Sequence, residues 1–248
     1  MKENACVIIP ARYNSSRYPG KPLVPLLGKP LVIWVCELSS KAVGENSVFV
    51  ATDSSKIKST VESYGFQAIM TSERALTGTD RIAEALESLP IKYDVIINVQ
   101  GDEPIVDPHD ILKVIELKKN NREKIINCFC HLNDEEDVHS KNIPKIVTNE
   151  TNNLLYISRN PIPGVKSKEF APKKWKKQVC IYGFNSIDLG LFKNYGRKSE
   201  LEKLEDIEIL RFFELEKEIL MHKCPSGSLA VDCPEDVPIV EKELMKRL

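Results

Sequence analysis

Between residues 5 and 120 the chain repeats one pattern, a short apolar run followed by a stretch with a helical period. "ACVIIP", "SVFVATD", "QAIM" and "DVIINVQ" are strand-length runs without polar alternation. "LVIWVCELSS", "SSKIKSTVESYG", "TDRIAEALESL" and "PHDILKVIELKKN" follow them with helical spacing. The second of these starts on a capping Ser and stops at Gly65; the third sets Ile82, Leu86 and Leu89 on one side. Strand and helix alternating at this spacing build βαβ units and a mostly parallel sheet. Strands that are apolar throughout are expected where helices cover both faces. The pattern predicts an α/β fold.

After residue 120 the alternation loosens. "KIINCFC", "LLYIS" and "VCIYGF" read as strands, and the polar, basic "KSKEFAPKKWKKQ" lies between the last two. This predicts an excursion from the sheet around 150–200, a small subdomain. "ELEKLEDIEILRFFELEK" reads as one long helix with Leu204, Ile207, Leu210 and Phe213 on its core face. A strand near "EILMHK" and a helix over "EDVPIVEKELMKRL" follow. The 248 residues suit a single domain, 1–248, with a sizeable core.

A net charge of -1 gives no global field for nucleic acid or an anionic membrane, so anion binding must come from local placement. No apolar run approaches the roughly 18 residues of a membrane span, and the N-terminal run is too short for a signal peptide core. The expected location is the cytoplasm. Cys6, Cys36, Cys128, Cys130, Cys180, Cys224 and Cys233 include no CxxC pair. Cys128 and Cys130 share one face of a strand, and His131 beside them is a zinc-like juxtaposition. The set reads as structural thiols in a reducing compartment.

In open α/β sheets, ligands bind beyond the carboxyl ends of the strands. The loop after the first strand, "ARYNSSRYPGK", carries Arg12, Arg17 and Lys21 among Asn, Ser, Pro and Gly. Neither the Walker nor the GxGxxG frame is present. Planar Arg forks and a Lys charge suit a polyphosphate, and a solvated basic loop is the plainer reading. After "DVIINVQ" comes "GDEP": Asp102 is placed to hold Mg²⁺ or to make an ordinary Gly-Asp turn. Asp232 in "AVDCPED" is a second such carboxylate, or a helix cap through its spacing to Glu235.

"TGTDRIAEAL" offers Thr77 and Gly78 to a ligand, or Thr79 as an N-cap. Arg159 in "ISRNPIP" is suited to clamp a carboxylate, or lies on the surface. Glu202, Glu205 and Glu208 recur every three residues and read as a solvated face near Lys203 and Lys217. "KKWKK", Lys173 to Lys177, reads as a solvated loop rather than a nucleic-acid patch.

Together, "IIPARYNSSRYPGKPL", "LGKPLVIWV", "VATD", "MTSERALTGTDRIAEAL", "VIINVQGDEP", "LYISRNPIP", "IYGF" and "AVDCPEDV" resemble, in order and spacing, the 3-deoxy-manno-octulosonate (Kdo) cytidylyltransferases, or CMP-Kdo synthetases. The likeness covers nearly the whole chain. It implies a nucleotide-diphospho-sugar-transferase fold, a Rossmann-like three-layer sandwich with a mixed, mostly parallel sheet, and a homodimer built in part by the 150–200 region. It implies transfer from CTP to Kdo or a Kdo-like 3-deoxy-2-ulosonic acid, with release of pyrophosphate, for lipopolysaccharide or capsule synthesis. Neither nucleic acid nor membrane is an expected partner.

By the same resemblance, Arg12, Lys21 and Asp102 are the catalytic set. Pro10, Ala11, Arg12, Lys21, Thr77, Gly78, Arg81 and Gln100 bind CTP. Gln100, Arg159, Gln178, Tyr182, Glu205 and Glu208 face the sugar, with Arg159 on its carboxylate. Asp102 and Asp232 hold Mg²⁺. Arg17 has no assigned role. Two positions that lie near the sugar by analogy depart from the family pattern: Gln178 stands where a His is usual, and Ile209 where a Gln is usual. They keep open an 8-amino Kdo analogue or another nonulosonate. A catalytically silent nucleotide-binding scaffold is the alternative from another class.

Overall fold

The computed structural model describes residues 4–14, 18–170, 172–225, 227 and 229–247. The first apolar run forms β1 (Ala5–Ala11), buried along its whole length. A short ribbon of β2 (Pro25–Leu26) and β3 (Lys29–Pro30) leads into α1 (Leu31–Val43). Then come β4 (Val48–Thr52), α2 (Ser55–Ser63), β5 (Gln67–Met70), α3 (Gly78–Ala85), β6 (Val95–Val99) and α4 (Pro108–Asn120). The second half contains β7 (Ile125–His131), β8 (Lys145–Thr148), β9 (Leu154–Ser158), β10 (Lys176–Phe184) and α5 (Ser186–Asn194). It continues through α6 (Glu200–Glu205), α7 (Arg211–Glu214), β11 (Ile219–Lys223) and α8 (Val237–Met245).

Among the described residues one sheet runs β11-β7-β10-β6-β1-β4-β5, with β8 joined to β10 and β9. β1 pairs in parallel with β4 and β6, β4 with β5, and β7 with β11. β10 lies antiparallel between β6 and β7, so the sheet is mixed but mostly parallel. Side chains of α1, α2, α4 and α8 pack into one core, and those of α3, α5 and α7 into the other. The result is an α/β fold, as the alternation predicts, in the three-layer arrangement that the resemblance implies. Among the described residues, no helix is long and apolar enough to cross a membrane. All seven cysteines are free thiols.

Two sequence expectations are overturned, and one strand has no counterpart among them. The long late helix does not exist. α6 ends at Asp206, whose φ of 49° is left-handed, and the chain resumes as a 3-10 turn and then α7. Asp is one of the few residues that tolerate this conformation. The break rotates the faces apart, so Leu204 is 81% exposed while Ile207 and Leu210 are buried. β8 carries no signal strong enough to predict it; it forms because β9 and β10 offer it partners. "KKWKK" is not wholly a loop. Lys176 and Lys177 belong to β10, where Lys176 Nζ donates to Thr148 Oγ1 at 2.7 Å and the buried Lys177 pairs with Glu136.

Candidate active site

β1 and β6 lie side by side and end at the same edge of the sheet. The loops that leave them touch. A Cβ on Gly101 would stand 2.8 Å from the Pro10 carbonyl oxygen, so only Gly lets these backbones approach so closely. A Cβ on Gly78 would lie 3.2 Å from Pro10 Cγ and 3.3 Å from Gln100 Nε2. Pro10, Gly78 and Gln100 therefore meet at one point, with the buried Ala11 behind them. Beyond this edge opens a cleft of about 640 Å³. Arg12, Thr77, Gln100, Asp102, Arg159, Gln178, Tyr182, Glu208 and Asp232 all line it.

Lys21 stands at the metal-like corner. Gly20, with φ 73°, turns the loop back so that its N–H meets the Tyr13 carbonyl at 2.7 Å. Lys21 Nζ then lies 2.6 Å from Asp102 Oδ2 and 3.5 Å from Asp232 Oδ1. The two carboxylates are distant in sequence, and one backbone bond stitches them together: Val231 N–H donates to the Asp102 carbonyl at 2.9 Å. Asp232 is not the helix cap that its spacing to Glu235 suggests. The cap of the 3-10 turn there is Cys233, and Asp236 is its reciprocal partner, accepting from the N–H groups of Asp232 at 2.7 Å and Cys233 at 2.9 Å. This leaves the Asp232 carboxylate turned toward Lys21. Arg17 lies outside the described residues.

The wall formed by Gln100 and the start of α3 is held by Glu208. Its Oε1 accepts from Gln100 Nε2 at 3.1 Å, and its Oε2 accepts from the Thr79 N–H at 3.0 Å. Burial pushes the Glu208 carboxyl up from its ordinary value, opposed by the hydrogen bonds from Thr79 and Thr77. The cap of α3 is Thr77, whose Oγ1 accepts from the Asp80 N–H at 3.2 Å; Thr79 is not the cap. Arg81 does not reach the cleft lining. It is fully buried and donates to Asp53 Oδ2 at 2.7 Å and Thr71 Oγ1 at 2.5 Å, tying α3 to the ends of β4 and β5. Burial lowers its pKa, and Asp53 opposes the shift.

The three late glutamates are not a solvated face. Glu202 is buried and grips Arg211 through two bonds of 2.7 Å, and Asp80 takes the same guanidinium at 2.8 and 3.1 Å. Glu205 accepts from Ser158 Oγ at 2.7 Å and from the Arg159 N–H at 2.9 Å. Arg159 is no free surface residue: Nε, Nη1 and Nη2 donate to the carbonyls of Glu205 (2.5 Å), Lys141 (2.6 Å) and Asp206 (2.9 Å). A guanidinium has five N–H groups, and these bonds use three of them at a residue that lines the cleft.

The floor is a buried amide pair. Gln178 Nε2 donates to Asn127 Oδ1 at 2.9 Å and to Tyr182 Oη at 3.2 Å. Asn127 Nδ2 in turn donates to the carbonyls of Val179 and Ile181 across a bulge in β10. Burial raises the Tyr182 pKa well above its ordinary value, so the phenol is neutral. Ile209, by contrast, packs in the core under α5 and α7 and does not line the cleft. The departure from the family pattern at that position does not reach the ligand space. Asn127, Asp80 and Arg211 were not anticipated as supports. An Asn inside the otherwise apolar "IINCFC" run was the available signal for the first; for the ion pair there was none.

The chain matches the family model described as "Cytidylyltransferase" over residues 6–219. It is 38% identical over 247 residues to a 3-deoxy-manno-octulosonate cytidylyltransferase of Thermodesulfovibrio yellowstonii, covering 95% of this chain and 96% of the relative. It is 39% identical over 246 residues to an 8-amino-3,8-dideoxy-manno-octulosonate cytidylyltransferase of a Shewanella species, covering 97% and 98%. A solved CMP:2-keto-3-deoxy-manno-octonic acid synthetase complexed with CTP superposes with TM-score 0.87 at 32% identity, covering 98% of this chain and 99% of that one. A structure described as a glucose-1-phosphate thymidylyltransferase from Bacillus anthracis shares the fold at TM-score 0.68 and 14% identity, covering 98% and 96%. With the cleft, its carboxylates and these likenesses in place, the chain belongs to the cytidylyltransferase family.

Proposed function

We propose that the protein joins CTP to Kdo or a Kdo-like 3-deoxy-2-ulosonic acid, releasing pyrophosphate. The observation that carries this reading is the Lys21 ammonium between Asp102 and Asp232 at the cleft edge, at 2.6 and 3.5 Å. Two carboxylates already converge on one cation there. Hard oxygen donors of this kind fit Mg²⁺, which Asp102 and Asp232 would hold. Bound there, Mg²⁺ would offset the charge of the triphosphate oxygens.

The chain's own residues do the positioning. Arg12 and Lys21 receive phosphate oxygens. The meeting point of Pro10, Ala11, Gly78 and Gln100 fixes the nucleotide, with Thr77 beside it and Arg81 bracing α3 from behind. The remaining N–H groups of Arg159 take the sugar carboxylate. The anomeric hydroxyl attacks the α-phosphorus in line with the departing pyrophosphate. Such a transfer asks of the protein alignment and charge compensation rather than a covalent intermediate.

A second sugar is favoured by one observation. Gln178 gives both amide hydrogens to Asn127 and Tyr182, which turns its carbonyl into the acceptor side. An acceptor suits an ammonium, so the 8-amino analogue is the competing substrate. Incubation with CTP, Mg²⁺ and a panel of 3-deoxy-2-ulosonic acids tests both. Pyrophosphate release is expected, and kcat/KM ranks the sugars. CTP binding with no release across the panel would support the silent scaffold and overturn the enzyme reading. We also infer a homodimer that uses the 150–200 region, checked by sedimentation of the full chain.

A further inference from the structure

Asp110, His222 and Cys224 come from α4, from β11 and from the residue just after β11, and none of them lines the cleft. One ligand atom from each lies within 4.8 Å of the others. His222 Nε2 is 3.4 Å from Asp110 Oδ1. That is longer than a charge-assisted hydrogen bond of about 2.7–2.9 Å. It matches two ligand atoms sharing one tetrahedral zinc: bonds of about 2.0–2.2 Å place N and O roughly 3.3–3.5 Å apart. Cys128 stands opposite His222 in the β7–β11 register, and its thiol contacts that of Cys224. Cys128 thus lies beside the site but outside the three donors whose ligand atoms are within 4.8 Å of one another.

The supports are rigid. The Cys224 N–H donates to the Phe129 carbonyl at 2.8 Å, and Asp110 sits in the first turn of α4 with its N–H on the Asp107 carbonyl at 3.1 Å. Asp110, Cys128 and Cys224 are buried, and His222, at the sheet edge, is partly open to solvent. An ion therefore has access from one side. The donor set of sulfur, imidazole and carboxylate differs in kind from the all-oxygen pair Asp102 and Asp232. Thiolate and imidazole select zinc-like ions over Mg²⁺.

We propose that Asp110, His222 and Cys224 form a three-donor site for one Zn²⁺ that ties β11 to α4, with water completing the tetrahedron on the open His222 side. This revises the plain reading of Cys224 as an inert core thiol. The test uses the full-length protein, stripped with chelator and titrated with Co²⁺ and Zn²⁺ in excess Mg²⁺. One equivalent of Co²⁺ should bind, with thiolate-to-cobalt charge transfer and the intense visible bands of a four-coordinate ion, and Zn²⁺ should displace it. Cys224→Ser should remove the charge-transfer band. His222→Gln, at a partly exposed edge position where folding is not at risk, should weaken binding by at least the roughly 10–100-fold seen when even an outer partner of a metal is lost. Asp102→Asn should bind Co²⁺ as the wild type does. No charge-transfer band in the wild type, or unchanged binding by His222→Gln, would overturn the site.

Discussion

At the scale of single residues, the site depends on where charges are placed rather than on how many there are. Asp102 and Asp232 each contribute one carboxylate to the corner that Lys21 occupies. Asp102→Asn and Asp232→Asn should each bring pyrophosphate release to background, with a thermal midpoint close to wild type. Near-normal release by either would remove the metal assignment. Glu208 gives a pH signature. Its folded carboxyl titrates above its ordinary value because it is buried. Between the unfolded and folded values the native state binds more protons, so stability falls as pH rises through that window. Glu208→Gln lacks this decline. Denaturant titrations at pH 4 and pH 7 should show the variant gaining on the wild type at the higher pH. A constant difference would refute the burial argument.

At the scale of elements, buried ion pairs fix how the helices meet the sheet. Arg211 joins Glu202 of α6 to Asp80 of α3, and all three are buried. Removing one partner of such a set leaves charges without compensation, at a cost of about 3–5 kcal/mol. Arg211→Ala should therefore lower the free energy of unfolding by about that amount; a change under about 1 kcal/mol would show the cluster to be solvated after all. Here the sequence was only partly legible. Local period revealed β1, α1, β4 and α4, because their apolar faces are written into adjacent residues. Arg12 and Asp102 were marked by their places just past β1 and β6, Asp232 and Gln178 by the family pattern, and all four line the cleft. The αL turn at Asp206, the burial of Glu202 and the inward turn of Arg81 were not. Each is set by a partner far along the chain, which a local pattern does not encode. Spacing alone likewise offered Asp232 as a cap, whereas Cys233 holds that position and Asp236, one residue past Glu235, is its reciprocal carboxylate.

At the scale of the whole molecule, the cleft draws on both halves of the chain, which are joined there by Glu208 to Gln100 and Thr79 and by Lys21 to Asp232. Between the segments that carry the two carboxylates, Val231 N–H to Asp102 C=O is a direct backbone bond. Val231→Pro would remove that donor. We expect turnover to fall by about 10-fold or more, the loss of one hydrogen bond of roughly 1–1.5 kcal/mol plus misplacement of Asp232. The two cores should stay intact, with near-unchanged far-UV circular dichroism; unaltered turnover would mean that Asp232 is positioned by other contacts. The same bond has a consequence in time. A ribosome delivers Arg12, Gln100 and Asp102 early, and Asp232 only after β11 has emerged. On the proposed assignment of Asp232 as a metal ligand, a nascent chain halted before Val231 would be inert, however well its first βαβ units had folded. Nucleotide would then not be consumed by half-made molecules, and competence would arrive in a single late event.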